Sequence, residues 1–306
     1  MTDNAVLRHL RRITALPSAP PSSPTSLSMP ASPQAGEHLA ALCAHLGGLA
    51  NAFEIRWVAE CASTNSALLD APPADDGRVH VLVADRQSAG RGRRGRPWLS
   101  WDDASLTFSA LWRFPPGAPL PAGLSLVAGL ALARALEHLG VPGVQLKWPN
   151  DVLVHGAKLA GILVELLPGR GRALTAVIGI GINLRLPADI DLPAAIPVTA
   201  LDRVLEQPPS HPLPTRSAVL AAVLGELHPL LDIFAAAGFS PLRSAWQQRN
   251  AFADLPVCIH GENDTLTGLC AGVDVDGALL LRTADGVQRV LAGDVSLRPL
   301  PPGAGA

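Results

Sequence analysis

The sequence predicts an α+β domain followed by a small β-barrel at the C-terminal end. Three observations carry this. The 306 residues suffice for one large domain and a small one, and 48% hydrophobic against 16% charged residues supply a sizeable core. The middle of the chain mixes short strand-like runs with helices. From Val257 to Leu300 the pattern changes to short β-like runs broken by Gly261-Glu262-Asn263-Asp264, Asp276-Gly277 and Asp285-Gly286. That spacing suits roughly five strands.

Taken in order, residues 17–34 read PSAPPSSPTSLSMPASPQ, a tract that can neither form a helix nor bury a core, so residues 1–35 read as a flexible leader. A short helix runs from Glu37 to Leu46 and stops at Gly47-Gly48. Val79 to Ala84 and Ser105 to Trp112 read as strands, and Ala122 to Leu139 as a helix closed by Gly140. Further strands are expected at Val144–Trp148, Leu159–Glu165 and Ala173–Leu184. A proline-rich loop, Gln207–Pro214, then precedes a helix from Arg216 to Ala236. The main domain is thus expected at 36–250 and the β module at 251–306.

A formal net charge of -2 argues against a surface built throughout to hold nucleic acid. Cysteines at 43, 61, 258 and 270 form no Cys-x-x-Cys pair, which speaks against a disulfide framework or a structural zinc, and the metal-ligating set is read as none. Arg8, Arg11 and Arg12 lead into prolines rather than an apolar signal core. Leu124 to Leu136, the most apolar helical stretch by this reading, is interrupted by Ser125 and Arg134 and is too short to span a bilayer. The expectation is a cytoplasmic protein with reduced thiols and no membrane segment.

The sharpest local signal is Gly90-Arg91-Gly92-Arg93-Arg94-Gly95-Arg96-Pro97-Trp98, entered through Gln87. Glycines let a backbone bend and approach a ligand, and arginines grip phosphate or carboxylate. Like charges should keep such a loop mobile until an anion arrives. The glycines also satisfy G-x-G-x-x-G, but Arg96-Pro97 is a poor helix start and no acid follows at ribose spacing. It lacks the Gly-Lys-Ser/Thr of a Walker loop. From the loop alone, a basic RNA-binding segment or a solvated charge cluster stays open.

Three other segments could face it. Lys147-Trp148-Pro149-Asn150-Asp151 ends a strand, so Asn150 and Asp151 project from a turn, although Pro-Asn-Asp by itself is an ordinary turn. In Lys158-Leu159-Ala160-Gly161-Ile162-Leu163-Val164-Glu165, Lys158 sits at a strand entrance, where a lone lysine is commonly just solvated. In Val177 to Leu184, period two puts Ile178, Ile180, Ile182 and Leu184 on a core face and Gly179, Gly181 and Asn183 on the other. Alternate glycines imply something packed directly on the backbone, either a helix or the floor of a nucleotide pocket. Ser63-Thr64-Asn65 precedes a helix as an N-cap, which can also meet polar ligand atoms.

In this order, the Ser-Thr-Asn segment, the arginine-glycine loop, Lys-Trp-Pro-Asn-Asp, Lys-Leu-Ala-Gly-Ile-Leu-Val-Glu and Gly-x-Gly-x-Asn resemble the biotin protein ligase family. The tail segments 272–281 and 293–298 are similar to that family's end module. The resemblance spans about residues 57–300 and implies a core like that of class II aminoacyl-tRNA synthetases with an SH3-like C-terminal barrel. It implies biotin contacts from Ser63, Thr64, Asn65, Gln87, Arg91, Gly92, Arg93 and Lys158. It places Arg94, Arg96, Trp98, Asn150, Gly179, Gly181, Asn183 and Arg298 with the nucleotide, and Arg93, Lys158 and Asp151 in catalysis. The implied substrates are biotin and ATP with Mg2+, and the implied partner is a biotin carboxyl carrier protein of a carboxylase. A homodimer is among the assemblies it allows. Members with a repressor activity carry an N-terminal winged-helix domain; the Pro/Ser-rich segment here predicts a ligase without DNA binding. Asp151 is a candidate for helping to deprotonate the acceptor amine. The rivals are a lipoate or octanoate enzyme of the same superfamily and a nucleic-acid-binding protein.

Overall fold

A computed structural model describes residues 29–119, 121–168, 174–186, 197–205, 212–261, 265–291 and 296–299. Along the chain these form α1 (Ala35–Leu46), β1 (Phe53–Cys61), α2 (Thr64–Asp70), β2 (Val79–Gln87), β3 (Ser105–Phe114), α3 (Leu124–His138), β4 (Val144–Lys147), β5 (Asp151–Val154), β6 (Ala157–Pro168) and β7 (Leu174–Asn183). They continue as α4 (Leu201–Val204), α5 (Arg216–Ala237), α6 (Arg243–Gln247), β8 (Pro256–His260), β9 (Thr265–Val273), β10 (Leu279–Thr283), β11 (Gly286–Val290) and β12 (Ser296–Pro299). The expected strands and helices are present, most of them shifted at their ends by a few residues.

The first seven strands make one mixed sheet in the order β1-β2-β3-β7-β6-β5-β4. β1 pairs parallel with β2 and the remaining pairs are antiparallel. Period two decides its two faces. In β3, Leu106, Phe108, Ala110, Trp112 and Phe114 join Ile178, Ile180 and Ile182 of β7 in the main core. α3 packs on that side against β4, β5, β6 and α5, and α1 packs on α5. The opposite face of β3 carries Ser105, Thr107 and Ser109, all buried, and beyond them Leu111, which joins a smaller cluster with Val177 and Leu68 of α2. This second face holds the functional site.

α5 is long and apolar enough to cross a bilayer by length and composition, a property the shorter Leu124–Leu136 stretch did not suggest. In this fold Val219, Leu220, Val223, Leu224, Leu227, Leu230, Leu231 and Phe234 are buried along it, in contact with α1 and α3. Burying one such side chain contributes about 1.5–3 kcal/mol, so this row anchors the helix in the core.

Two strands were not foreseen. β1 reads FEIRWVAEC, and Glu54, Arg56 and Glu60 obscure its apolar positions. It is the edge of the sheet, where charged side chains face solvent and discourage further pairing. β5 is only four residues long, too short for a periodic signal. Residues 29–34, assigned by sequence to the leader, run beside β1. Ala31 bridges Val58, and the Ser32 amide donates to Trp57 O at 3.2 Å.

The last five strands form an antiparallel sheet in the order β11-β10-β9-β8-β12. It is fastened to the main domain by buried and half-buried polar contacts. Trp148 Nε1 donates to Gly277 O at 3.1 Å, Arg243 Nε donates to Val273 O at 2.6 Å, and Gln247 Oε1 accepts from the Val273 amide at 3.0 Å. Gly277 has φ 86°, and a Cβ there would come within 2.8 Å of Gly123 Cα at the start of α3. Only glycine fits that approach.

One buried charge ties four elements together. Arg216, at the start of α5, lies 2.8 Å from Asp85 of β2, 3.1 Å from His38 Nε2 of α1 and 5.4 Å from the Trp57 ring of β1. Trp57 Nε1 also donates to Asp85 at 2.7 Å. Removing one partner of a buried pair strands the other. Arg216→Met should therefore lower the urea-unfolding free energy by about 3 kcal/mol. By contrast Arg134→Met, which removes a looser pair at 3.9 Å with Glu226, should cost less than about 1 kcal/mol. Equal losses would show that the Arg216 cluster is not an anchor.

Candidate active site

The Lys147–Asp151 segment is a reversal between β4 and β5, with a cis Trp148–Pro149 bond and the two end residues as register partners. Asn150 is stapled to β6, since its carbonyl accepts from the Ile162 amide at 3.0 Å and its Nδ2 donates to Ile162 O at 2.8 Å. β6 starts one short turn after β5, and an irregularity in their pairing delivers Lys158 to the same place. Lys158 Nζ sits 2.6 Å from Asp151 Oδ1, and Lys147 Nζ sits 2.7 Å from Asp151 Oδ2. Burial alone would push the Asp151 carboxyl upward, but the adjacent charges of Lys158 and Lys147 outweigh it and hold it below the usual carboxylate range. The cluster is two cations sharing one anion, so it keeps a net positive charge.

The arginine-glycine loop folds back on itself. The Trp98 amide donates to Gly90 O at 2.9 Å, the Gly92 amide donates to Arg96 O at 2.7 Å, and Arg91 bridges Pro97. Arg94 adopts φ 58° at the tip and Gly95 φ 67°. Arg93 Nη1 reaches Asn150 Oδ1 at 3.3 Å, joining the loop to the lysine cluster, while the side chains of Arg94 and Arg96 stay exposed.

The N-terminus of α2 forms the other pole. Ser63 Oγ accepts from the Ser66 amide, so the N-cap expected from sequence is present. Thr64 and Asn65 are buried beside it. Gln87 Oε1 accepts from the Thr64 amide at 2.8 Å, and Ser109 Oγ lies 2.5 Å from Asn65 Oδ1. This pole is polar and uncharged, except where Glu165 meets Asn65 Nδ2 at 2.8 Å and Arg91 at 3.1 Å.

The glycines of β7 explain how both poles reach the sheet. A Cβ at Gly179 would overlap the Asn65 side chain, and one at Gly181 would overlap the Trp98 indole. The helix alternative holds at Gly179, where a residue of α2 lies on the backbone, while Gly181 is covered by a loop aromatic that the sequence did not foresee there. Asn183 turns out to be partly committed elsewhere, since its Nδ2 donates to Thr199 O at 3.0 Å. That bond holds the 197–199 segment, which in turn pairs with the backbone of Lys158.

These parts surround a cavity of about 790 Å³, lined by the α2 trio, Gln87, the loop's arginines with Gly92 and Trp98, Asn150, Asp151, Lys158, the β7 set and Arg298 of β12. Trp98 Nε1 and Arg298 Nε are buried donors without a partner among the described residues, which suits a ligand rich in acceptors. Sequence alone left three residues without a role: Lys147, which lines the cavity, and Glu165 and Ser109, which stand behind it in contact with Asn65. Lys147 lay inside a recognised motif but was given no role. Glu165 closed another motif. Ser109 was legible only as the third member of a polar period-two series, Ser105, Thr107 and Ser109, inside an otherwise apolar strand.

Residues 62–183 match the biotin/lipoate A/B protein ligase family, and residues 256–298 match the biotin protein ligase C-terminal domain. The chain is 37% identical over 245 residues to the bifunctional ligase/repressor BirA of Salmonella typhimurium, covering 77% of this chain and 72% of that protein. It is 36% identical to the biotin–[acetyl-CoA-carboxylase] ligase of Paracoccus denitrificans, covering 78% of this chain and 98% of that one. Among solved structures it superposes on the biotin protein ligase from Aquifex aeolicus in complex with biotin and ATP. There the TM-score is 0.67 at 31% identity, covering 81% of this chain and 99% of the other.

The packing on β7 gives a direct test. Gly181→Ala should push the Trp98 ring off the strand, which acrylamide quenching of tryptophan emission would register as greater exposure, with little change in far-UV circular dichroism. Unchanged quenching would mean that the strand tolerates a side chain there. The lysine cluster gives a second. A carboxyl whose folded pKa is depressed contributes stability above its unfolded pKa and loses it as pH falls through the folded value. Asp151 should accordingly stay ionised through the pH range in which free aspartates titrate, as carboxyl-carbon NMR would show; ordinary titration would dissolve the paired cluster.

Proposed function

The chain belongs to the biotin protein ligase family, and from that premise we propose how its cavity carries out the ATP-dependent attachment of biotin to a carrier-protein lysine. The observation that carries the reading is the division of one cavity into a neutral hydrogen-bonding pole at α2 and a cationic pole at Lys147, Lys158 and Arg93. Biotin has the matching polarity, with a neutral cyclic urea at one end and a carboxylate at the other.

In the first step the biotin carboxylate attacks the α-phosphorus of ATP, forming biotinyl-5'-AMP and releasing pyrophosphate. Both reactants are anions, so bringing them together is the principal electrostatic cost, which Lys158, Lys147 and Arg93 offset by position and charge. Among the described residues no group of three or more His, Cys, Asp or Glu side chains could hold a metal. Asp151 is taken by two lysines and Glu165 by Arg91. Mg2+ bound with the triphosphate would supply charge neutralisation. Trp98 and Arg298 bring unpaired buried donors to the nucleotide side, together with Arg94, Arg96 and Asn150.

In the second step the carrier amine attacks the biotinyl carbonyl and AMP departs. A carboxylate clamped between two ammonium groups is a weak base. We therefore assign Asp151 to holding Lys158 and Lys147 in place rather than to deprotonating the amine. Closure of the loop over the mixed anhydride would keep water out.

The match of residues 256–298 to a domain named for biotin ligases favours biotin over lipoate or octanoate, and the net charge of -2 gives the nucleic-acid reading no support. On the family resemblance we assign the sheet of β1 to β7 to a class II synthetase-like core and β8 to β12 to an SH3-like barrel, divided near residue 250. Four free cysteines are compatible with the reducing conditions of a cytoplasmic location.

Purified protein with magnesium should exchange labelled pyrophosphate into ATP only when biotin is present, and neither lipoate nor octanoate should replace it. Lys158→Ala should abolish that exchange; normal exchange would remove Lys158 from the first step. Arg93→Ala should still form the adenylate but release it at least ten times faster, the order expected when a charge-assisted contact is lost. Retention equal to wild type, measured by filter binding, would contradict the loop assignment.

A further inference from the structure

One carboxylate borders the cavity without lining it, and the mechanism gives it no part. Glu165 stands on β6 near the α2 pole, and Arg91 Nη2 lies 3.1 Å from both of its carboxylate oxygens. The same carboxylate accepts from Asn65 Nδ2 at 2.8 Å. From Asn65 the polar contacts continue without a gap. Asn65 Oδ1 is 2.5 Å from Ser109 Oγ, which is 2.7 Å from Thr64 Oγ1. Thr64 reaches Gln87 through its backbone N–H, which donates to Gln87 Oε1 at 2.8 Å. The backbone N–H of Gln87 donates to Ser100 Oγ at 2.9 Å. Arg91 is inside the arginine-glycine loop, Gln87 precedes it and Ser100 follows it. One string of contacts therefore starts on the loop and returns to both of its flanks.

We propose that Glu165 is a positioning residue that couples the arginine-glycine loop to the pole receiving the uncharged end of biotin. The proposal rests on the biotin ligase reading and adds to it. A side-chain amide can sit in either of two orientations. Asn65 Nδ2 faces the Glu165 carboxylate and Leu163 O, which only accept, so Asn65 Oδ1 must face Ser109 and the direction of the network is set. Arg91, for its part, has its charge met by Glu165. It holds the base of the loop, and the cationic pole at Lys147 and Lys158, two charges on the single Asp151 carboxylate, faces the ligand's anions.

The energetics separate this role from a merely structural one. The Arg91 and Glu165 side chains are 44% and 27% exposed. An ion pair in that setting contributes little to stability, so losing it should disturb ligand binding and leave the fold intact. Glu165→Gln keeps the shape and still offers Asn65 an acceptor, while removing the charge that Arg91 sees.

The test compares wild type, Glu165→Gln, Arg91→Met and the double variant in biotin-dependent pyrophosphate exchange and in adenylate retention. Glu165→Gln should raise the KM for biotin about tenfold and leave kcat within about twofold, the split expected when uniform binding is lost. Its thermal midpoint should stay within about 2 °C of wild type, since a surface pair carries little stability. The double variant should be no worse than Arg91→Met, because the lost charge acts through Arg91. A wild-type KM in Glu165→Gln would overturn the proposal, as would an unchanged KM with lowered kcat and midpoint, or single effects that multiply in the double variant. Absence of exchange in wild type would sink the ligase reading first, and is distinguishable because it needs no variant.

Discussion

β7 has to be a core strand on one side and a bare floor on the other. Its isoleucines at 178, 180 and 182 fill the space beneath α3 and α5, which fixes the register of the strand and therefore the direction of Gly179 and Gly181. Because those two positions carry no side chain, Asn65 can descend from α2 and Trp98 from the loop until both touch the backbone. A one-residue slip would bury glycines and expose isoleucines, so the same pattern that stabilises the core also locates the site. The neighbouring strands inherit that register. Ser109 meets Asn65 because β3 pairs Ser109 with Gly179.

The charged end of the cavity follows from a different economy. Two lysines share one carboxylate within a few ångströms, and none of the three side chains is more than about a quarter exposed. Such an arrangement is a modest contributor to stability, because desolvation consumes most of the attraction. Its use lies in holding an excess cation in a fixed place, ready for anionic ligands whose arrival needs little reorganisation. The uncharged pole solves the complementary problem. Thr64, Asn65 and Ser109 are buried but bonded among themselves and to Gln87, Leu163 O and Glu165, so the pole is fixed in direction without an uncompensated charge.

Much of this was legible in the residues. The period-two isoleucines gave β7 and its glycine face, Gly140 gave the end of α3, and Ser63 caps α2 as its chemistry suits. The elements missed were those whose signal depends on neighbours. β1 is an edge strand whose charges point outward, and β5 is too short to show a period. Among site residues, Lys147 and Glu165 were visible as letters of motifs, but their roles are pairwise. A lysine four residues before an aspartate reads as a helical spacing, whereas here a tight reversal sets them opposite each other. No local pattern announces that Glu165 and Arg91, far apart in the chain, will meet.

The C-terminal sheet bears on the same geometry from below. Its turn at Asp274 to Gly277 sits against the start of α3, and Gly277 O takes the indole proton of Trp148. Trp148 is the residue before Pro149, whose carbonyl accepts from Ser125 of α3 at 3.0 Å. The reversal that presents Asn150 and Asp151 is thus held by β6 on one side and by the α3 entrance and the β-module turn on the other. Arg298 enters the cavity from the same module. A module that both braces the anion-binding turn and sends a cation into the cavity is part of the site's architecture, and its loss would free the Trp148 indole, the Pro149 turn and one wall of the nucleotide side together.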